Sequence, residues 1–116
     1  MARTQVNPVA LPNGGYNLTD SAALTTLATG AGNGVEIAYD PGTRIILKNP
    51  TGGAAAYTVK VPTPAEIAGL GSTVPDMTVT VAAGKSWILK PLAATRQAGG
   101  NIYIDCDVAG QVLVVK

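Results

Sequence analysis

The stretch Val35-Glu36-Ile37-Ala38-Tyr39-Asp40-Pro41-Gly42-Thr43-Arg44-Ile45-Ile46-Leu47-Lys48 decides the fold class. Val35, Ile37 and Tyr39 alternate with Glu36, Ala38 and Asp40, so the first set shares one side of an extended chain and the second set the other. A helix would need its apolar residues three and four apart. Asp40-Pro41-Gly42-Thr43 is then a turn, because Pro fixes φ at the second position and Gly tolerates positive φ at the third. The pattern predicts that Ile45, Ile46, Leu47 and Lys48 return as the hairpin partner of the first strand. Ile45, Ile46 and Leu47 follow one another without alternation, which predicts a strand covered on both faces.

The same period continues toward the carboxyl end. Tyr57, Val59 and Val61 alternate with Thr58 and Lys60, and Met77, Val79 and Val81 alternate with Thr78 and Thr80. An Ala83-Gly84 turn leads into a strand at Trp87, Ile88 and Leu89 that Pro91 closes, read as another hairpin. Ile102, Ile104, Cys106 and Val108 face one way, with Tyr103, Asp105 and Asp107 on the other, before Ala109-Gly110 turns into Val112 and its successors. Seven short strands joined by Gly and Pro turns predict an all-β domain over residues 35–116, a β-sandwich or jelly roll, with a closed barrel as the alternative. One helical turn interrupts them. In Thr63-Pro64-Ala65-Glu66 the Thr is expected to cap, Pro to take the first position and Glu66 to reach back, with Ile67 and Leu70 as anchors and Gly69 and Gly71 as the stop.

Residues 1–34 differ from the rest and read as an N-terminal arm, broken early by Pro8, Pro12, Asn13, Gly14 and Gly15 and late by Gly30, Gly32 and Gly34. Asp20 could cap a short helical piece with Ala23, Leu24 and Leu27 on one face. The alternative is an extended arm lying along a neighbour or along the domain's own edge.

Composition bounds the function. At 116 residues the chain fits one domain, and with 13% charged residues against 47% hydrophobic ones it can build a core. Thr and Gly take over polar duty from charge, Phe and His are absent, and apolar volume comes from Val, Ile, Leu and Ala, as in strands. The net charge of +1, with basic residues spread from Arg3 to Lys116, lacks the clustered positive footprint of a nucleic-acid binder. No apolar run approaches the ~20 residues of a spanning helix. A single cysteine excludes an internal disulfide and is expected of a chain made in a reducing cytosol.

Reactive chemistry is sparse. Without His the chain lacks the commonest general base and metal ligand, and Cys106, on the inward face of its strand, reads as a buried apolar thiol. Asp105 and Asp107, two apart on one strand, could hold calcium or act as a glycosidase-like pair, against the plainer reading of a solvated polar face. Gly30-Ala31-Gly32-Asn33-Gly34 has the look of a phosphate-cradling loop, but a strand follows it instead of the helix that chemistry needs. Trp87 beside Lys85 could stack a base or sugar, although a single aromatic without a platform is more often core or interface. No catalytic residue, cofactor or metal site is expected.

Taken as a whole, residues 44–116 resemble small virion proteins of tailed bacteriophages, in particular head-decoration (capsid cement) proteins built on a β-sandwich. The likeness is carried by Arg44-Ile45-Ile46-Leu47-Lys48-Asn49, by Thr78-Val79-Thr80-Val81-Ala82-Ala83-Gly84, by Ile88-Leu89-Lys90-Pro91-Leu92, and by a strand around residues 102–107 followed by a short Val-rich end. The resemblance implies a non-enzymatic structural protein that binds the major capsid protein on the outside of the head and resists expansion or internal pressure. It also implies a homo-oligomer, with a trimer favoured, located in the virion after synthesis in the host bacterial cytoplasm, and no direct nucleic-acid or membrane contact. Val6, Val9, Leu11, Tyr16 and Leu18 are the candidate arm contacts, being apolar residues in a segment that cannot form a core by itself. On that reading, deletion of residues 1–18 abolishes capsid binding and leaves the fold intact. A tail, neck or head-fibre component of the same particle, a carbohydrate-binding sandwich module, and, last, an enzyme using Asp105 are the other readings.

Overall fold

The computed structural model describes residues 3–10 and 24–116 and contains two packed, open sheets. In chain order the strands are β1 (Thr4–Val6), β2 (Thr25–Thr26), β3 (Val35–Ala38), β4 (Arg44–Lys48), β5 (Ala55–Val59), β6 (Met77–Val81), β7 (Ser86–Leu89), β8 (Asn101–Cys106) and β9 (Gln111–Val115), with a one-turn helix α1 (Ala65–Ala68) between β5 and β6. The first sheet has the order β1-β3-β8-β5-β6 and the second β2-β9-β4-β7. The fold is a β-sandwich; because each sheet ends on unpaired edges, it is not the closed barrel kept as an alternative. All seven strands expected from Val35 onward are present.

The core lies between the sheets. Val35, Ile37, Tyr57, Val59, Val79, Val81, Ile102, Ile104 and Cys106 point into it from the first sheet, and Ile45, Leu47, Val112 and Val114 from the second. The unbroken run in β4 is covered on both faces, as its sequence predicts: Ile45 and Leu47 enter this core, while Ile46 packs outside the second sheet against Leu24 and Leu113.

The expected hairpins are not hairpins. β3 pairs with β1 and β8, whereas β4 pairs with β7 and β9, so the Asp40–Thr43 turn carries the chain from one sheet to the other. The turn itself forms as expected, with Thr43 N–H donating to the Asp40 carbonyl at 3.1 Å and Gly42 N–H to Asp40 Oδ1 at 2.8 Å. The Ala83-Gly84 and Ala109-Gly110 turns cross between sheets in the same way, joining β6 to β7 and β8 to β9. The consecutive strands that do pair directly are β5 and β6, across the long connection that holds α1.

Two buried polar residues fix these crossings. Asn49 is fully buried and gives Nδ2 to the carbonyls of Gly53 (2.7 Å) and Val81 (2.9 Å), while its Oδ1 accepts from Thr51. This ties the end of β4 to the start of β5 and the end of β6. At the other crossing the Tyr57 hydroxyl donates to the Lys48 carbonyl at 2.6 Å and accepts from Gln111 N–H at 3.1 Å. Burial pushes the Tyr57 phenol well above its ordinary value, so it stays neutral. Gly110 is required beside it, because any Cβ there would run into the Tyr57 hydroxyl.

The helical expectations need correction. α1 is a single turn in which Pro64 takes the cap position without a side-chain bond, and Thr63 Oγ1 instead accepts from Val74 N–H at 3.0 Å. Ile67 and Leu70 do not anchor it; Leu70 is 82% exposed. The piece expected to be helical after Asp20 is extended where it is described: Thr25–Thr26 form β2, with Leu24 and Leu27 buried on either side. Residues three apart share a helix face but take opposite faces of a strand, and accordingly Leu27 enters the inter-sheet core while Leu24 joins the outer cluster. Asp20 and Ala23 lie outside the described residues.

Candidate functional site: a free edge strand with a basic rim

The residues singled out for chemistry meet at one place, where they serve the fold. Asp105 is 4% exposed, not part of a solvated face. Its carboxylate accepts from Arg3 Nη2 at 2.7 Å, from Gly32 N–H at 3.0 Å and from Gly34 N–H at 3.1 Å. The glycine loop thus does cradle an anion, but the anion is a side chain of this same chain. Gly34 is needed for the approach, since a Cβ there would collide with the Ile104 carbonyl and the Asp105 carboxylate. The Arg3 guanidinium also lies 4.5 Å from the centre of the Tyr103 ring. Asp107 Oδ1 accepts from Ala56 N–H at 2.9 Å, and Cys106 is buried as expected.

A shallow cleft of about 210 Å³ lies beside this cluster, lined by Gly30, Ala31, Thr58, Lys60, Asp105 and Asp107 among others. Its charged side chains have partners: Asp105 has Arg3, Lys60 Nζ holds Asp76 at 2.8 Å, and Asp107 holds the Ala56 amide. Among the described residues no three of His, Cys, Asp and Glu come together as a metal site.

Of the candidate arm contacts, Val6 is buried in the inter-sheet core and Val9 packs partly buried against the outer Leu24-Ile46-Leu113 cluster. β1 runs parallel to β3 on the edge of the first sheet, and Val9 bridges Val115, giving N–H to the Val114 carbonyl at 2.7 Å. These two side chains are therefore used within their own chain. Leu11, Tyr16 and Leu18 lie outside the described residues.

An open strand edge is found instead at β7. It closes the second sheet and, among the described residues, pairs on one side only, with β4. Trp87 is 50% exposed and Ile88 66%, and Leu92 just beyond is 47% exposed. The other free edge on this side, β6, shows ordinary alternation, with Val79 and Val81 buried between exposed Thr78 and Thr80. Asn49 N–H donates to the Lys85 carbonyl at 3.0 Å, which sets the phase of the β4–β7 ladder. Bonded pairs alternate in an antiparallel ladder, so Trp87 and Leu89 turn their backbone groups toward β4 while Ser86 and Ile88 turn theirs away from the sheet.

Charge divides between the sheets. Among the described residues the second sheet and its turns carry Arg44, Lys48, Lys85, Lys90 and Lys116 against Asp40, and Lys116 Nζ pairs with that Asp40 at 3.0 Å. The first sheet and its loops carry Glu36, Glu66, Asp76, Asp105 and Asp107 against Arg3, Lys60 and Arg96. Basic residues spread along the sequence thus gather in space around β4 and β7.

Set against protein-family models, curated proteins and solved structures, the chain matches none. The site therefore stands on its own geometry. The sequence leaves Trp87 between core and interface, and along it the basic residues are dispersed. One signal was present: Lys85 and the Lys90-Pro91 pair bracket an apolar run in the way that natural edge strands are guarded.

Proposed function

We propose that this chain is a non-enzymatic structural virion protein of a tailed bacteriophage, a decoration or cement protein that binds the outer surface of the capsid and stabilises the head. The observation that carries the reading is the exposed edge β7, where Trp87 and Ile88 stand out beside open backbone groups. Elsewhere the buried polar side chains of Asp105 and Asn49 are spent on internal bonds. A sandwich with a sticky edge and committed polar groups suits adhesion better than turnover. The resemblance of residues 44–116 to head-decoration proteins supports the same reading, and its quoted segments coincide with β4, β6 and β7.

The partner on this reading is the major capsid protein, and the binding form is a homo-oligomer, a trimer by preference, assembled after synthesis in the host cytoplasm. The test is co-sedimentation of the purified chain with expanded, empty heads and, in parallel, with isolated tails. Binding to heads supports the decoration role, and a trimer in equilibrium sedimentation supports its oligomeric form. Binding to tails alone replaces it with a tail component, and binding to neither overturns the virion reading.

A further inference from the structure

We propose that β7 is a docking edge for an extended, acidic segment of a partner protein, which adds to the second sheet as a further strand. The inference rests on the adhesive role above and names the chemistry of its partner. Three independent features meet there. Ser86 and Ile88 direct backbone N–H and C=O groups away from β4, so an incoming strand finds a ladder half made. Apolar side chains flank that ladder on both faces: Trp87 stands on the inner side, aligned with Leu47, and Ile88 on the outer side, aligned with Ile46. The outer row is also basic, since Arg44 and Lys48 bracket Ile46 on β4 and Lys90 follows Ile88 beyond β7.

A strand added here would present alternate residues to the two faces. Its inward set must be apolar, to cover Trp87, and its outward set must be carboxylates, to meet the basic row. A second copy of this chain is the poorer occupant, because its own β7 would bring another Lys85 and Lys90 to the same edge. A nucleic acid would satisfy the charge but leave the backbone groups of Ser86 and Ile88 unused.

Trp87, the single tryptophan of the chain, reports on the edge directly. The probe is a short acetylated peptide alternating Val and Glu, compared with its Val and Lys counterpart and with oligo(dT). The acidic peptide is expected to shift Trp87 emission to the blue, to saturate, and to weaken as salt is raised. Ile88→Pro removes an outward-facing N–H that no strand among the described residues uses, so the fold is kept and peptide affinity falls about tenfold or more. Ile88→Ala, which keeps that N–H, must lose less. Should Ile88→Pro fail to fold, the Lys85→Glu/Lys90→Glu variant carries the test, and its preference is expected to pass from the acidic to the basic peptide. Equal binding of both peptides to the wild type overturns the inference. So does an emission shift produced by oligo(dT) and unchanged in Ile88→Pro, or self-association that Ile88→Pro abolishes. If wild type and Ile88→Pro sediment equally with heads, this inference fails and the adhesive role stands; if neither binds heads or tails, the virion role fails while the peptide result is unaffected.

Discussion

From the sequence Asp105 reads as a calcium ligand, a glycosidase-like carboxylate or part of a solvated face, and its burial removes the solvated face. Its carboxylate is held by one guanidinium and two loop amides, so each oxygen has a donor from within the chain. Removing one member of such a pair leaves the other buried and uncompensated, which costs more than the pair contributes. Asp105→Ala is therefore expected to lower stability by about 3–5 kcal/mol, read as a shift of the urea midpoint at constant slope. Arg3→Ala should cost less alone, because Gly32 and Gly34 still hold the carboxylate. The double variant should fall well short of the sum of the two, and strict additivity would show that the contact contributes nothing.

At the scale of elements, the strands were legible and their partners were not. Alternation fixes which residues share a face, and it does so for Ile102, Ile104 and Cys106 as for Val35 and Ile37. It says nothing about whether a four-residue turn folds a strand back onto its neighbour or sends it to the opposite sheet, because both begin with the same Pro and Gly geometry. The β5–β6 connection, the one true hairpin among these, is held at its base by Asp76, which accepts from Lys60 Nζ and Val61 N–H. The Lys60 hydrogen bond first, and the Val61 amide second, hold the Asp76 carboxyl below its ordinary 3.8. A depressed value in the folded state means the contribution is complete above the ordinary value and is lost as pH falls through the lowered one. Asp76→Asn should flatten the acid limb of the stability profile by up to about 1 kcal/mol, since the pair is partly solvated, and leave stability near neutral pH lower by a similar amount. An unchanged acid limb in thermal melts between about pH 5 and pH 2 would remove the pair from the account.

For the molecule as a whole, the amino-terminal residues matter more to the fold than their composition implies. β1 contributes Val6 to the core and Arg3 to Asp105, and Val9 shields the outer cluster around Ile46. The expectation that residues 1–18 could be deleted without harm to the fold is thus replaced. Deleting residues 1–10 uncovers part of the core and strands a buried carboxylate, and should cost about 3 kcal/mol or more. A truncated chain with the melting temperature of the full one would show that β1 is dispensable. Loss of capsid binding by such a truncation would report on stability as much as on contact, and for that reason Ile88→Pro is the cleaner probe of the docking edge.

The all-β class, the seven strands from Val35 onward and the double burial of β4 are already written in the residue order, because period two and an unbroken apolar run are local facts of the chain. The alternation in β8 likewise places Cys106 as a buried core thiol. That three turns cross between sheets, that a glycine loop closes on Asp105, and that lysines far apart in the chain lie around one exposed edge follow from the packed fold alone. Those outcomes depend on which strands lie side by side, and alternation sets the faces of a strand without choosing its neighbours.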